Sequence, residues 1–486
     1  MRNSEKILSD LFLRYFGEKP ESISAVPPSG SHRRYYRLKS RNNQAVGTFG
    51  DNVRENRAFF SYTRNFRNLG LYVPELYLIA EDEQHYLQEN VGHTALYDLL
   101  PDREEPFSEE LIDLYKKSLT QLARMQIIGG RDLDYSVAFP HRSFDRTSML
   151  RDCNYFRYYF LQPSGIAFDE QKIEEDFQKL SGWLAAADND FFLFRDFQSR
   201  NIIINDGQPY FIDYQGGRRG ALQYDAASLL WQAKANIPQN LRENLLSHYL
   251  DAVESLTKTD RKNFTEYYYG FVLMRQMQTL GAYGLRGLIE RKAHFLQSIP
   301  FALKNIAWVL QNRKPPVDLP ELERILLALA ASERFAGYDK SQSAQKALVV
   351  TVQSFSYKKG GIPPDPSGNG GGFLFDCRFL HNPGRYQPYK KLTGLDSEVI
   401  NFLKADSTID AFLQNCYRIT DEAVENYLYR DFASLMISFG CTGGQHRSVY
   451  AAEATAKHLR DKYGVQIILR HRERGNWPIP KKSPIP

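Results

Sequence analysis

Three polar side chains within residues 191–215 have the types and the spacing that phosphoryl transfer requires. The carboxylate of Asp196 can accept the proton of an attacking hydroxyl, and the amide of Asn201 can bind Mg²⁺ without adding charge beside that base. A second carboxylate, Asp213, can hold the ion between the phosphates of a nucleotide. The pattern predicts a small-molecule kinase with ATP and Mg²⁺ as cofactors.

The local sequence would bring the two candidate metal ligands together. Apolar runs at residues 202–204 and 210–212 flank turn residues 205–207, which is typical of two strands joined by a tight turn. Such a hairpin places Asn201 and Asp213 at its open end. An Asp-x4-Asn pattern with a later Asp also arises by chance, but the strand–turn–strand setting favours the catalytic interpretation.

These residues resemble the aminoglycoside phosphotransferase and choline kinase superfamily, whose catalytic loop reads His-x-Asp-x4-Asn and is followed by a further Asp. Phe194 stands where many members have the His. Within this superfamily, the chain is most similar to bacterial kinases that phosphorylate N-acetylmuramate and N-acetylglucosamine at C1 during cell-wall recycling. The likeness covers about residues 1–312 and is carried by residues 31–37, 70–74, 195–201 and 275–281.

The resemblance implies an α+β protein-kinase-like bilobal domain. It implies that Asp196 is the catalytic base and that Asn201 and Asp213 bind the metal. The implied acceptor is a small amino sugar, whose anomeric hydroxyl receives the γ-phosphate of ATP. Asp225 is implied to be structural and to hydrogen-bond the catalytic loop.

The residues that would hold the nucleotide depart from the family pattern. Members carry a Lys on the third strand, paired with a helix Glu, but the corresponding strand at residues 45–50 has no Lys. Glu55 would therefore lack its usual partner, and Arg33, Arg34 or Arg37 on the neighbouring strand could supply the positive charge. Arginines on the surface of a strand are also common without any ligand.

Two further segments are predicted to contact the nucleotide. The turn at residues 27–31, which ends at Ser31, would lie over the phosphates, although such a turn is also an ordinary hairpin loop. Residues 86–90, which include Glu89, would form the hinge between the lobes, where backbone groups would bind adenine.

Length and composition indicate a multidomain protein of the cytoplasm. With 486 residues and 42% hydrophobic content, two or three domains with sizeable cores are expected. No apolar run is long enough to cross a bilayer, and the first residues lack a signal-peptide core, so no membrane partner is expected. The four cysteines have no metal-ligand spacing, and a net charge of +5 excludes little.

Hydrophobic periodicity divides the chain into segments of different type. A small lobe over residues 1–90 contains predicted strands at 35–38 and 44–49 and a helix at 52–69. A large lobe over residues 91–312 is predicted to be mostly helical. Its expected helices are residues 111–127, 239–256, 264–280 and 300–310.

A linker is predicted at residues 313–346, with one short helix at 319–332, because prolines and polar residues dominate there. After the linker, the spacing of apolar residues changes from a mostly helical pattern to buried strands that alternate with helices. An α/β domain with a mainly parallel sheet is therefore expected over residues 347–474, followed by a tail at 475–486. Its expected strands are 347–352, 373–376, 435–439 and 466–469, and its expected helices are 397–404 and 447–463.

Residues 440–448 of this domain join a predicted strand to a predicted helix. Glycines let backbone N–H groups approach an anion, and Thr442, Arg447 and Ser448 add donors, so the loop is expected to bind phosphate. Cys441 and Arg447 also have the Cys-x5-Arg spacing of tyrosine phosphatases, in which a thiolate attacks phosphate. The alternative is a tight glycine turn with an inert Cys.

Residues 347–474 closely resemble the C-terminal domain of RapZ, a bacterial RNase adaptor, whose own P-loop domain is absent here. The resemblance implies binding of an amino-sugar phosphate such as glucosamine-6-phosphate, and RNA is a possible partner. Gly384 and Arg385 depart from the adaptor's His-Trp pair. The implied ligand-binding residues are Asp376, Asn382, Cys441, Thr442, Gly443, Gly444, His446, Arg447 and Ser448.

Two functions other than a kinase remain open. One is an RNA-binding or signalling adaptor with a degenerate kinase lobe, which the missing strand Lys favours and the intact Asp196, Asn201 and Asp213 oppose. Its candidate RNA contacts are the lysine pairs at 358–359, 390–391 and 481–482. The other is a phosphatase that uses Cys441.

Overall fold

A computed structural model describes residues 2–26, 33–101, 105–290, 292–340, 348–365, 372–429 and 432–478. The chain divides into two compact units. Unit 1 comprises Met1–Gly281 and Pro300–Ser332, and unit 2 comprises Ala282–Ile299 and Glu333–Pro486.

Unit 1 begins with a helix and a five-stranded antiparallel sheet in the order β1-β2-β3-β5-β4. The predicted strands at 35–38 and 44–49 and the helix at 52–69 are confirmed. The elements are α1 (Arg2–Phe16), β1 (Ser22–Ala25), β2 (Arg34–Lys39), β3 (Gln44–Phe49), α2 (Val53–Asn68), β4 (Leu76–Ile79) and β5 (His85–Glu89).

The two faces of β2 have different roles because successive side chains of a strand point to opposite faces. Tyr36 and Leu38 are buried in a core shared with α1. Tyr35 and Arg37, on the other face, border a cavity beneath the sheet. The alternation therefore separates the residues that stabilise the lobe from those that can meet a ligand.

The rest of unit 1 is mostly helical, as predicted. The helix expected at 111–127 is α-helical only to Arg124 and continues as a π-helix, Met125–Gly129. The elements are α3 (Glu109–Arg124), α4 (Arg146–Phe156), α5 (Gln162–Ser164), α6 (Glu170–Leu184), β6 (Phe191–Leu193), β7 (Ile202–Asn205), β8 (Gln208–Phe211), β9 (Arg218–Gly220), α7 (Leu222–Leu230), α8 (Gln239–Glu254) and α9 (Arg261–Tyr283).

Further along, α10 (Ala293–Leu296) lies in unit 2, whereas α11 (Ile299–Asn312), from Pro300 onward, and α12 (Pro320–Ala330) lie in unit 1. α12 falls within the predicted linker but packs on α6. The carboxylate of Asp176 accepts the N–H groups of Glu321 and Leu322 at 2.8 and 2.9 Å, so a residue of α6 caps the first turn of α12. This part of the segment is anchored in unit 1.

Unit 2 contains a four-stranded parallel sheet in the order β11-β12-β10-β13, which confirms the predicted α/β domain. A long helix at 409–429 was not predicted. The elements are α13 (Glu333–Lys340), β10 (Val349–Ser356), β11 (Gly372–Asp376), α14 (Ser397–Asp406), α15 (Ile409–Tyr429), β12 (Ser434–Cys441), α16 (Arg447–Tyr463) and β13 (Gln466–His471).

Among the helices in the described part of the chain, none combines the length and apolar character needed to span a bilayer.

Candidate functional site

The loop after β6, which carries the predicted base Asp196, is held by a buried carboxylate. Asp225 of α7 accepts the backbone N–H groups of Phe194 and Arg195 at 2.7 and 3.0 Å, which confirms its predicted contact with the loop. Gln126 donates to it as well, at 3.1 Å. Burial nevertheless raises the pKa of Asp225 to about 7. These bonds fix the backbone immediately before Asp196, with Arg195 in the left-handed region at φ 83°.

The side chain of Arg195 supports the loop from below. It forms a bidentate ion pair with Asp152, with distances of 2.7 and 2.8 Å, and bonds the hydroxyl of Tyr224. Its guanidinium also lies over the rings of Phe144 and Tyr224, at 4.8 and 5.2 Å from their centres. Arg195 is therefore engaged in packing, and Asp196 is the residue that reaches the cavity.

The β7–β8 hairpin brings Asn201 and Asp213 together, as predicted. Asn201 Nδ2 donates to the Asp196 carbonyl at 2.9 Å and lies 3.4 Å from Asp213 Oδ2. Because Nδ2 makes these contacts, Oδ1 is the atom of the amide that can bind a cation. The other carboxylate oxygen of Asp213 accepts a hydrogen bond from Gln215 at 2.7 Å.

The environment of Asp213 fits a divalent cation. Desolvation in the cleft raises its pKa, and the nearby carboxylate of Asp196 raises it further. Among the described residues, Asp213 makes no salt bridge within 4 Å, so a partly buried carboxylate faces the cavity without a directly paired cation. Hard oxygen ligands in this setting suit Mg²⁺.

Arg33 supplies the partner that Glu55 was expected to lack. Its Nη2 lies 3.7 Å from Glu55 Oε1 and 3.1 Å from Asn56 Oδ1, and its Nη1 lies 3.3 Å from the hydroxyl of Tyr86. The residue is only 6% exposed and borders the cavity. Arg34 points to the other face, where it stacks over Phe49 at 4.6 Å.

One cavity of about 670 Å³ is bordered by the predicted base, by both predicted metal ligands and by two of the four predicted nucleotide-binding residues, Arg33 and Glu89. Glu89 borders it, but its N–H donates to the Glu75 carbonyl at 2.8 Å and its Oε2 accepts the Glu75 N–H at 3.0 Å. Ser31 lies outside the described residues, and Arg34 is not in the lining. The polar lining residues are Arg33, Tyr35, Arg37, Glu55, Tyr86, Gln88, Glu89, Asn90, Asp196, Gln198, Arg200, Asn201, Asp213 and Gln215.

Two arginines near Asp196 were missed as site residues. Arg275 of α9 places Nη2 3.5 Å from Asp196 Oδ1, while its Nε donates to Ser228 Oγ at 2.9 Å. Buried Arg218 donates to the Gly216 carbonyl at 2.9 and 3.0 Å and makes no salt bridge within the described part of the chain. Burial lowers the pKa of Arg218, and the positive charge of Arg195 lowers it further. Arg275 is the first residue of one of the stretches on which the kinase resemblance was based. That resemblance could have identified Arg275 as a site residue.

A second cavity, of about 240 Å³, lies in unit 2 where β12 passes into α16. Of the predicted ligand-binding residues, Asn382, Cys441, Thr442, Gly443, His446 and Arg447 border it; Gly384, Lys390 and Gln445 complete the lining. The last two were missed as site residues, and their positively charged or amide side chains fit an anion.

The other three predicted residues lie beside this second cavity. Asp376 is bonded to the side chain and N–H of Arg378 at 2.7–3.0 Å. Gly444, with φ of 66°, packs against Glu473, whose Cγ would be 2.5 Å from an added Cβ. Ser448 Oγ lies 3.1 Å from Cys441 Sγ. These residues shape the loop without bordering the cavity.

Comparison with known proteins agrees with this division of the chain. Residues 22–261 match the phosphotransferase enzyme family, and residues 348–475 match the RapZ C-terminal domain. The chain carries a phosphotransferase domain and a RapZ C-terminal domain. The predicted fold, a protein-kinase-like α+β domain followed by an α/β domain, is confirmed.

Curated relatives match only part of the chain. A nucleotide-binding protein of Idiomarina loihiensis is 30% identical over 189 residues, which cover 39% of this chain and 62% of the relative. A nucleotide-binding protein of Lacticaseibacillus casei is 36% identical over 141 residues, which cover 28% of this chain and 46% of the relative. The chain thus spans between about half and three-fifths of the length of these two relatives.

Solved structures similar to this chain include a choline kinase from Cryptosporidium parvum, with 13% identity and a TM-score of 0.46 over 66% of this chain and 99% of the other. An ADP-bound aminoglycoside phosphotransferase matches with 14% identity and a TM-score of 0.37, over 55% of this chain and 99% of the other.

Proposed function

We propose that the phosphotransferase domain transfers the γ-phosphate of ATP, with Mg²⁺, to a hydroxyl of a small amino sugar. The substrate class is that of N-acetylmuramate and N-acetylglucosamine, the acceptor atom is the anomeric hydroxyl, and the setting is cell-wall recycling in the cytoplasm. The observation that carries the proposal is the meeting of Asp196, Asn201 and Asp213 in one cavity that Arg33 also borders.

At the nucleotide end, Arg33 takes the role of the strand lysine. A guanidinium held by Glu55, Asn56 and Tyr86 has a fixed orientation, and its positive charge suits the α- and β-phosphates. Asn201 Oδ1 and the Asp213 carboxylate hold Mg²⁺, which supplies charge neutralisation on the phosphates. Arg37, on the same face of β2 as Tyr35, adds a second positive charge at the rim.

At the acceptor end, Asp196 accepts the proton of the attacking hydroxyl. Half of its side-chain surface is exposed (51%), so a substrate can reach it. Arg275, bonded to Ser228 and to Gln278, holds the carboxylate from one side and acts as a positioning residue.

The charge around Asp196 supports an acidic or neutral sugar over an aminoglycoside. Arg218 and Arg275 are both buried, and within the described part of the chain the guanidinium of Arg218 donates only to the Gly216 carbonyl. A carboxylate on the acceptor, as in N-acetylmuramate, would be attracted by these guanidinium groups, whereas the ammonium groups of an aminoglycoside would be repelled. We therefore favour N-acetylmuramate as the better of the two candidate sugars.

The RapZ C-terminal domain is proposed to bind an amino-sugar phosphate of the glucosamine-6-phosphate type. Its cavity presents Arg447, Lys390 and the loop backbone, and no carboxylate is among the described residues that line it. An anion at this position would also benefit from the N-terminus of α16.

The experiment is a substrate screen with the full chain and ATP-Mg²⁺. N-acetylmuramate, N-acetylglucosamine, glucosamine and two aminoglycosides are compared by ADP release, and the product is identified by phosphorus NMR. An anomeric phosphate on N-acetylmuramate or N-acetylglucosamine, lost in Asp196→Asn, is the expected result. ADP release with an aminoglycoside alone would contradict the proposal.

The alternative, an RNA-binding adaptor with a degenerate kinase lobe, rested on the missing strand lysine. The Arg33–Glu55 pair weakens that argument, since a cation does face the helix carboxylate. Filter binding of RNA at two salt concentrations, together with the absence of any sugar phosphorylation, would favour the adaptor instead.

A further inference from the structure

The cavity of unit 2 contains a cysteine whose sulfur accepts hydrogen bonds. The N–H of Gly444 donates to Cys441 Sγ at 3.2 Å, and Ser448 Oγ lies 3.1 Å from the same sulfur. Donors directed at a sulfur stabilise the thiolate, and so does the N-terminus of the 17-residue helix α16. Two other buried cysteines of this core, Cys377 and Cys416, are not in the cavity lining, and burial raises the pKa of Cys416 to about 12.

Arg447 presents an incompletely bonded guanidinium to the same cavity. Its Nη1 donates to the carbonyls of Arg378 and Leu380, both at 2.8 Å, and its Nη2 lies 3.5 Å from Thr442 Oγ1. The residue is only 4% exposed, yet its buried Nε has no hydrogen-bond partner among the described residues. Because an unpaired buried N–H costs free energy, a ligand that accepts from Nε and Nη2 is expected.

The loop between these two residues can wrap a tetrahedral anion. Its sequence is Cys-x2-Gly-x2-Arg-Ser. The second of its two glycines, Gly444, has a φ of 66°, a backbone conformation that few residues with a side chain tolerate. That conformation turns the Gly444 N–H toward the sulfur. The loop thus brings a sulfur nucleophile and a guanidinium to one cavity of about 240 Å³, a size that suits a small phosphate ester.

We propose that this loop is a second catalytic centre, which hydrolyses a small phosphate monoester through a phosphocysteine intermediate at Cys441. The proposal is independent of the kinase assignment, since all of its residues lie in unit 2.

The reaction proceeds in two balanced halves. In the first, the electron pair of Cys441 Sγ forms a bond to phosphorus while the ester P–O bond breaks and its electron pair leaves with the alkoxide. The thiol proton passes to the departing alkoxide. In the second, the oxygen of water attacks phosphorus, the S–P electron pair returns to sulfur, and a proton of that water re-forms the thiol. The products are an alcohol and inorganic phosphate.

His446 also borders this cavity. Its Nε2 lies 2.9 Å from the Tyr389 carbonyl, which can only accept, so this nitrogen donates a hydrogen bond. Burial lowers the pKa of His446. Ser448 donates its hydroxyl to the sulfur and stabilises the thiolate when the S–P bond breaks.

The test uses the full chain without ATP and measures phosphate release from p-nitrophenyl phosphate, glucosamine-6-phosphate and N-acetylglucosamine-1-phosphate. Turnover of at least one of them is expected. Cys441→Ser should lower it by roughly 1,000-fold or more. Cys416→Ser, a buried cysteine of the same core outside the cavity lining, is the matched control and should keep it within about twofold.

A second measurement keeps the proposal testable if Cys441→Ser folds poorly. Rapid denaturation in alkaline detergent during turnover of a ³²P-labelled ester should trap one phosphate on the wild-type chain as S-phosphocysteine, and mass spectrometry should locate it at Cys441. Arg447→Lys should abolish trapping, because a lysine cannot offer two parallel donors. Binding of these esters without phosphate release or trapping would overturn the proposal, as would full activity in Cys441→Ser.

Discussion

Arg33 Nη2 lies 3.7 Å from Glu55 Oε1, so the carboxylate of helix α2 is paired with a guanidinium that enters from the residue before β2. In the resembling kinases a lysine on the third strand makes this pair. Here residues 45–50 of that strand offer no cation, and the hydroxyl of Tyr86 and the amide of Asn56 hold the arginine in place. The positive charge is kept although its position in the sequence has moved.

Replacing Arg33 by Ala should weaken nucleotide use. Loss of a charge-assisted bond to a phosphate costs about 2 kcal/mol, so kcat/KM for ATP should fall by roughly 30-fold, with KM rising. Steady-state kinetics at saturating sugar measure this. Arg34→Ala, one residue along on the opposite face of β2, is the matched control and should change kcat/KM by less than about twofold. Equal losses of kcat/KM in Arg33→Ala and Arg34→Ala would contradict the assignment of Arg33 as the phosphate ligand.

Asp196→Asn should lower kcat by about 100- to 10,000-fold, since a positioned general base contributes that much. The thermal midpoint should stay close to that of the wild type, because half of the side-chain surface of Asp196 is exposed and its carboxylate lies 3.5 Å from Arg275. Single-turnover kinetics measure the loss in rate, and thermal unfolding measures the midpoint. Turnover retained in this variant would show that another group takes the proton.

Arg218→Gln should reduce the preference for an acidic acceptor. We expect the ratio of kcat/KM for N-acetylmuramate over N-acetylglucosamine to fall by roughly tenfold, or about 1.4 kcal/mol, as one buried positive charge near Asp196 is removed. The neighbouring Arg219, which is half exposed and paired with Asp190 at 2.8 Å, provides the control. A ratio unchanged in Arg218→Gln but altered in Arg219→Gln would contradict this account.

The buried carboxyl of Asp225 should make stability depend on pH. Its pKa is raised from 3.8 to about 7 in the folded chain, so its contribution to stability is complete below about pH 4 and is lost as pH rises through about 7. Asp225→Asn should lower stability by about 1–3 kcal/mol, because one backbone N–H loses its acceptor, and should flatten this part of the profile. Urea unfolding at pH 5 and pH 8 compares the two chains. If the stability of the wild type depended on pH as little as that of Asp225→Asn, the raised pKa of Asp225 would be contradicted.

Much of the candidate kinase site was predictable because its signals are local. The turn at residues 205–207 between two apolar runs predicted the β7–β8 hairpin, and the hairpin alone is enough to bring Asn201 to Asp213. The loop at 440–448 was placed between a strand and a helix on the same grounds. Helix α15 was missed although its buried residues Ile409, Leu413, Cys416, Thr420 and Val424 recur every three or four positions, a helical spacing that was present in the sequence.

The sequence by itself determined the division into a mixed lobe, a helical lobe and an α/β domain, the β7–β8 hairpin with Asn201 and Asp213, and the glycine loop between a strand and a helix, because periodicity and turn residues act over a few positions. Only the tertiary structure decided that Arg33 and not Arg34 faces Glu55, that Arg218 and Arg275 surround Asp196, and that Asp376 turns to Arg378. Most of these pairings join residues far apart in the chain, and the one between Asp376 and Arg378 depends on how the end of β11 is turned. They depend on how the elements pack, and no local pattern encodes that choice.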